Sequence, residues 1–282
     1  MRLQFGKYLI WFLTLNVVFW GQDSSLFAQV AISPTTVFIS KSTHFGNFSV
    51  QNTSNSKQEV SIQFKFGYAA TDSVGNLYMK YDDSLNAKRY SIAGWVHAFP
   101  RSFTLNPSQT QTIRIMARPP SRLPDGMLWT RMFVTSNPQS SEVGTGNKNN
   151  VSANINFKFV QVTTVFYNNG GAKTGINVKN VSLSKNSDNI NFLAQVDQTG
   201  NTPFLGTVYL KIYNDQGKIV TTNSLMTTIY FNEIIKLNVA RNQFSPGEYK
   251  AELTFKSGRK DIDSKDVVNA QSVSKSVKFR IQ

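Results

Sequence analysis

The chain has 282 residues, with 30 Lys and Arg against 16 Asp and Glu, a formal net charge of +14, no cysteine and two histidines. This composition excludes a structural zinc site and a cysteine nucleophile, and an exported chain without disulfides must be held by sheet packing alone. The basic residues are scattered and interleaved with carboxylates, which fits a solvated surface and no nucleic-acid partner.

The N-terminus reads as a targeting segment. Arg2 and Lys7 precede an apolar run from Tyr8 to Trp20, 13 residues long and too short for a membrane span. Leu26-Phe27-Ala28 before Gln29 supplies a cleavage site. Residues 1–28 are therefore expected to be a cleaved secretory signal peptide, leaving 282 − 28 = 254 residues, enough for two domains. No later window approaches membrane length, so no integral span is expected.

Helical periodicity is nearly absent after that point, and strand signals recur between turn residues. Ala31–Ser40 reads as one strand with Pro34 near its start, and Gly46–Asn52 and Val60–Ala69 follow. Residues 73–89 read as a polar excursion with a turn at Val74–Leu77. Ser102–Leu105 and Gln111–Ala117 flank an Asn106-Pro107-Ser108 turn. Met127–Ser136 is another strand, and residues 137–153 form a Ser/Asn/Gly loop.

Ile155–Tyr167 is the most informative stretch. It alternates at its start and is apolar on both faces at its end. Alternate residues of a strand share a face, so Ile155, Phe157 and Phe159 form an apolar ridge. The ridge either packs into its own core or is offered to another chain along a sheet edge, and the sequence leaves both readings open.

Asn168–Thr174 is polar and glycine-rich and reads as a linker. A second unit follows, with strands at Val178–Leu183, Ile190–Val196, Gly206–Tyr213, Lys218–Val220, Met226–Phe231, Ile234–Ala240, Lys250–Phe255 and Ser274–Ile281. Asp197–Pro203 reads as a turn cluster, and Asn214-Asp215-Gln216-Gly217 as a hairpin. The pattern predicts an all-β protein with two immunoglobulin-like β-sandwich domains: residues 29–168 and 175–282, joined by 169–174.

No catalytic constellation is present. There is no nucleophile elbow or phosphate loop, and His44 and His97 lie in unrelated contexts. Asp82-Asp83 reads as a solvated turn, and Asp261-Ile262-Asp263 lacks the glycine and terminal glutamate of a calcium loop. The expectation is a non-enzyme with no cofactor and no metal. Trp95, Trp129, Tyr78, Tyr81 and Tyr90 are the aromatic side chains a sugar-binding reading would use.

The first unit resembles the periplasmic PapD-like pilus-assembly chaperones, and a divergent member is the closest description. The resemblance rests on the order of Val30–Phe38, Val50-Gln51-Asn52-Thr53, Phe103–Ile115 around its Asn-Pro turn, Arg122-Leu123-Pro124-Asp125-Gly126 and the Val165-Phe166-Tyr167 ending. It implies a PapD-like arrangement of the two sandwiches, a periplasmic location and a role in pilus or fimbrial assembly. The partner implied is an exported pilin-like or other surface subunit, bound by donor-strand complementation. Counting back from Phe166-Tyr167, the family's donor residues fall on Ile155, Phe157 and Phe159. The family's carboxylate anchors, an Arg and a Lys, fall on Thr35 and Thr164, which carry no charge. Lys158, Arg114 and Arg131 are the basic residues on other strands available to substitute. Two alternatives stand beside this reading: a structural or adhesive envelope protein without chaperone activity, and an edge that self-caps as a dimer.

Overall fold

A computed structural model describes residues 29–139 and 157–282. The expected signal peptide, most of the 137–153 loop and Ile155 lie outside the described residues. In chain order the strands are β1 (Val30–Ser33), β2 (Thr36–Ser40), β3 (Phe45–Asn52), β4 (Gln58–Lys65), β5 (Tyr68–Thr71) and β6 (Leu77–Lys80). A short helix, α1 (Ser84–Tyr90), precedes β7 (Val96–Phe99), β8 (Ser102–Leu105), β9 (Thr110–Ala117), β10 (Met127–Pro138) and β11 (Phe159–Asn168). The second unit holds β12 (Thr174–Lys185), β13 (Asn189–Gly200), β14 (Phe204–Asn214), β15 (Ile219–Ile229), β16 (Asn232–Ala240), β17 (Gly247–Ser257) and β18 (Val273–Ile281).

Two β-sandwiches result. The first packs β1-β3-β9-β7 against β2-β11-β10-β4-β8, and the second packs β12-β13-β16 against β15-β14-β17-β18. Each has its own core. Phe48, Ile62, Ile113, Val134 and Tyr167 fill the first; Phe192, Leu210, Leu253 and Phe255 fill the second. The alternation that marks the strands in the sequence is the alternation between these cores and solvent. In β9, for example, Ile113 and Ile115 are buried and Arg114 between them is exposed.

Several expected boundaries are corrected. The first strand is two: β1 pairs antiparallel with β3, whereas β2 pairs parallel with β11 in the opposite sheet. Pro34 lies at the break, where a residue without an N–H cannot continue a ladder. The expected Val60–Ala69 strand is two, β4 and the start of β5, and the polar excursion contains β6, which pairs back with β5, and nearly all of α1. Asp83 is the helix cap: its carboxylate accepts from the Asn86 N–H and from the Tyr68 hydroxyl at 2.6 Å. β7 was not expected. The Asp197–Pro203 turn is shorter, because β13 continues to Gly200, and the two strands expected between Lys218 and Phe231 are one, β15.

A third apolar cluster joins the sandwiches. Phe66, Tyr68, Met127, Trp129 and Phe166 of the first meet Leu205, Tyr230, Ile262 and Val267 of the second. Trp129 stacks on Tyr90 at 4.8 Å and lies 4.9 Å from the Tyr230 ring. The hairpin also reaches across: Thr71 Oγ1 accepts from the Ile234 N–H at 2.7 Å, and Lys236 Nζ donates to Asn76 Oδ1. Close to the linker, Gly126 has a φ of +112°, and a Cβ there would sit 2.4 Å from the Asn201 carbonyl oxygen. Only glycine fits both the backbone angle and the approach of the second sandwich.

Candidate functional site: an open strand edge and the cavity at its end

β10 and β11 pair without a bulge from Met127↔Asn168 to Ser136↔Phe159, so side-chain parity along β11 is constant. Val165 and Tyr167 enter the first core, and Phe159, Gln161 and Thr163 share their face. Gln161 Nε2 donates to the Val30 carbonyl at 2.6 Å, closing that face against β1. The other face carries Phe166 and Thr164 into the region between the sandwiches, followed by Val162 and Val160, which are 42% and 47% exposed.

The two halves of β11 have different neighbours. β2 matches only Thr164–Asn168. Among the described residues, Phe159–Thr163 has no strand on the edge away from β10. Phe159 is half-buried, Phe157 is 63% exposed, and their rings lie 6.4 Å apart. Lys158 between them is exposed. The open end therefore shows Phe157 and Phe159 at the start of one face, which continues with Gln161 and Thr163, and Val160 and Val162 on the other. Sequence reasoning selected the first row and passed over the second, although the valines stand in the same strand and are exposed.

The open edge leads to a cavity of about 410 Å³ between the sandwiches. Thr35, from the turn between β1 and β2, and Thr164 both line it. Of the three basic substitutes, only Arg131 reaches it. Arg114 belongs to β9 in the opposite sheet and sits over the Phe45 ring at 4.4 Å. Arg131 is the cross-strand partner of Thr164, and its Nη1 donates to Thr164 Oγ1 at 2.5 Å. Its guanidinium lies 5.6 Å from the Tyr230 ring centroid, and its Nε–H is buried with no hydrogen-bond partner among the described residues. Burial pushes the Tyr230 hydroxyl well above its ordinary range, against the opposing pull of Arg131 and Arg259.

Arg259, from the second sandwich, lines the same cavity and was not anticipated. Its Nε and Nη2 donate to Asp261 Oδ1 and Oδ2 at 2.9 and 2.6 Å, and Nη1 donates to Thr228 Oγ1 at 2.7 Å. The side-chain bonds from Arg259 hold the Asp261 carboxyl below its usual range. Leu77, Val162 and Met226 add exposed apolar surface to the lining. The aromatic side chains considered for sugar stacking are mostly committed elsewhere. Trp129 and Tyr90 belong to the seam, and Trp95 packs on Tyr167. Tyr81 packs on Phe133, and Tyr78 is exposed.

No protein-family model matches the chain, and no curated protein matches it. Solved pilus chaperones do. One is the SafB chaperone, from a complex with the Salmonella enterica SafA pilin: 15% identity, 90% of this chain and 98% of that chain covered, TM-score 0.45. Another is the YadV chaperone: 12% identity, 89% and 100% covered, TM-score 0.44. A third is from the complex of the CsuC chaperone with the CsuE tip adhesion subunit of Acinetobacter baumannii: 14% identity, 80% and 93% covered, TM-score 0.44. These are likenesses at low identity; the two-sandwich architecture of this chain stands on its own strand pairing.

Proposed function

We propose that the protein is a periplasmic assembly chaperone that binds an exported surface subunit by adding β11 to the subunit's incomplete sheet. One observation carries this reading: among the described residues the half-strand Phe159–Thr163 has no strand partner on its outer edge, and it exposes Val160 and Val162 on one face beside Phe157 and Phe159 at its start. Exposed apolar edges promote aggregation, and proteins cover them or use them. On this reading the main-chain ladder supplies affinity. The core-side row, Ile155, Phe157 and Phe159, enters the subunit's open core, and Val160 and Val162 form the outward side of the joint. Each large side chain buried in this way contributes about 1.5–3 kcal/mol of transfer free energy before ordering costs. The division into a signal peptide (1–28), two sandwich domains and a short linker belongs to the same proposal, and the chain's work is binding, without catalysis.

The test is to co-purify the mature chain from its own cell envelope and follow amide exchange in β11 with and without the captured subunit. Protection of the amides of residues 159–163 on binding, lost in Phe157→Asp and Val162→Asp variants that still fold, is the expected result. A subunit that binds while those amides exchange freely would rule out strand addition.

A further inference from the structure

Among the described residues the second sandwich has four edge strands, β12 and β16 in one sheet and β15 and β18 in the other. An exposed edge pairs with stray chains unless charge, a bulge or a cover prevents it. β12 carries Lys179 and Lys185 and is broken by a bulge between Val178 and Asn180. β18 carries Lys275, Lys278 and Arg280. β16 lies under the β5–β6 hairpin, where Thr71 Oγ1 accepts the Ile234 N–H and Asn76 Oδ1 accepts from Lys236 Nζ. β15 is different. Its one irregularity lies at its start, beside Val220. From Thr221 to Ile229 it carries no charge and no proline, in a chain of net charge +14, and only Ile229 is buried. β14 is its sole strand partner among the described residues.

The middle of this edge is met by its own chain. The Ser224 N–H donates to Asn223 Oδ1 at 2.7 Å, and Asn223 Nδ2 donates to the Asn238 carbonyl of β16 at 2.8 Å. The free part is Leu225–Thr228, where Leu225 and Met226 are 39% and 47% exposed. The cavity at the end of the β11 edge is lined by Met226, Thr227 and Thr228 of β15 and by Val162, Thr163 and Thr164 of β11. Successive side chains of a strand point to opposite faces, so a cavity that touches three in a row meets each strand along its edge. Two open half-edges, one from each sandwich, border one cavity. We infer that β15 is a second edge of the strand-addition site: the extended segment that joins β11 lies against Leu225–Thr228 on its other side. The inference rests on the strand-addition reading. The occupant is an extended, uncharged stretch of the exported subunit, because neither Phe159–Thr163 nor Leu225–Thr228 presents a charged side chain. A second copy of this chain brings the same positive charge, and that repulsion opposes a contact between identical edges.

The test uses the full mature chain and a short probe peptide of alternating threonine and valine. The peptide has a lysine at each end, an acetylated N-terminus and an amidated C-terminus, so no chain-end charge contributes. Amide exchange is followed at residues 159–163 and 225–228, with the peptide in excess and without it, for wild type, Met226→Lys and Thr222→Lys. Protection of both half-edges in wild type, with one peptide bound per chain, is expected. Met226→Lys should weaken peptide binding at least about tenfold and reduce protection at 159–163 as well as at 225–228. Thr222→Lys adds the same charge at an exposed position that does not line the cavity, and should bind like wild type. Protection of 159–163 alone, with Met226→Lys binding as wild type does, leaves strand addition standing and overturns the role of β15. Protection of 225–228 alone, or two peptides per chain, makes β15 a separate edge and overturns the shared strand. Protection at neither half-edge overturns strand addition together with this inference. Protection of 225–228 that grows with protein concentration in the absence of peptide overturns the subunit as occupant in favour of a second copy. If Met226→Lys does not fold, the exchange pattern and stoichiometry of wild type decide alone.

Discussion

Along β11, Thr164–Asn168 lies between β10 and β2, whereas Phe159–Thr163 lies beside β10 alone. On the face away from the first core, Phe166 of the flanked half is buried and stacks on Phe38 of β2 at 5.3 Å, whereas Val162 and Val160 of the open half are 42% and 47% exposed. All three are apolar, so hydropathy does not decide the outcome. The neighbouring elements do. β1 crosses to the opposite sheet and pairs with β3, and β2 joins β11 only from Thr36 onward. A first strand that continued along β11 from Val30 would close the edge. The break at Ser33–Pro34 thus builds the first core with one segment and leaves half of β11 open with the other.

The largest expected effect sharpens this contrast. Tyr167 is fully buried and meets Trp95 edge-on at 5.1 Å. Tyr167→Ala should cost about 3–5 kcal/mol of unfolding free energy, the range for a large buried aromatic, read from urea midpoints at an unchanged slope. A loss below about 1 kcal/mol would mean that the flanked half of β11 is not the fixed part of the strand.

The seam against which the flanked half packs contains a buried acid. Glu233 accepts the Tyr230 N–H at 3.2 Å, and burial raises its pKa from 4.5 to about 7. Because the folded pKa lies above the unfolded one, the folded state holds the proton more tightly. Stability is greatest below the unfolded pKa and is lost as pH rises through about 7. Glu233→Gln keeps an acceptor and removes the charge. It should stabilise the protein by up to about 3 kcal/mol near pH 8 and change little near pH 4, read from melting at both. An equal change at both pH values would place the effect in packing.

A smaller effect tests the bridge that holds the sandwiches together. Thr71→Val removes the acceptor of the Ile234 N–H while keeping the side chain's shape. The expected cost is about 1 kcal/mol, with increased exchange at the Ile234 amide as the local signature.

Much of the fold was legible because β-sandwich cores impose strict alternation. β3, β9, β14 and β18 are visible in this way, as is the Asn214–Gly217 hairpin, where Gly217 has a φ of +74°. What stayed hidden has physical causes. α1 spans seven residues, too short to show a period, and its only signal was the cap pair Asp83 and Asn86. β7, Val-His-Ala-Phe, has little β-branched character. The sheet switch between β1 and β2 is a tertiary choice, and Pro34 marks where the strand breaks but not where each piece goes. Of the site, the sequence reading reached Phe157, Phe159, Thr35 and Thr164, and it named Arg131 among three substitutes without means to choose. The choice depends on register, since Arg131 faces Thr164 while Arg114 lies in the other sheet. Arg259 could not be reached, because its place in the cavity comes from the docking of a separate sandwich.

The smallest expected effect on stability is the most direct test of the comparison between the two halves. Val162→Lys places a charge on the exposed face of the open half, where the side chain already meets solvent and the outer edge has no strand partner among the described residues. Lys158 shows that the same strand end carries a lysine in solvent. The change in unfolding free energy should stay within about 0.5 kcal/mol. The same substitution four residues further on the same face, Phe166→Lys, buries a lysine in the seam among Phe38, Trp129 and Tyr230. It should prevent stable folding, because an unpaired buried charge costs more than a domain of marginal stability can supply. If Val162→Lys unfolds the protein as Phe166→Lys does, the open half of β11 is held by packing as firmly as the flanked half, and the edge is closed in solution. If Val162→Lys is silent in stability and abolishes subunit binding, the open half contributes little to folding and its apolar surface serves the partner.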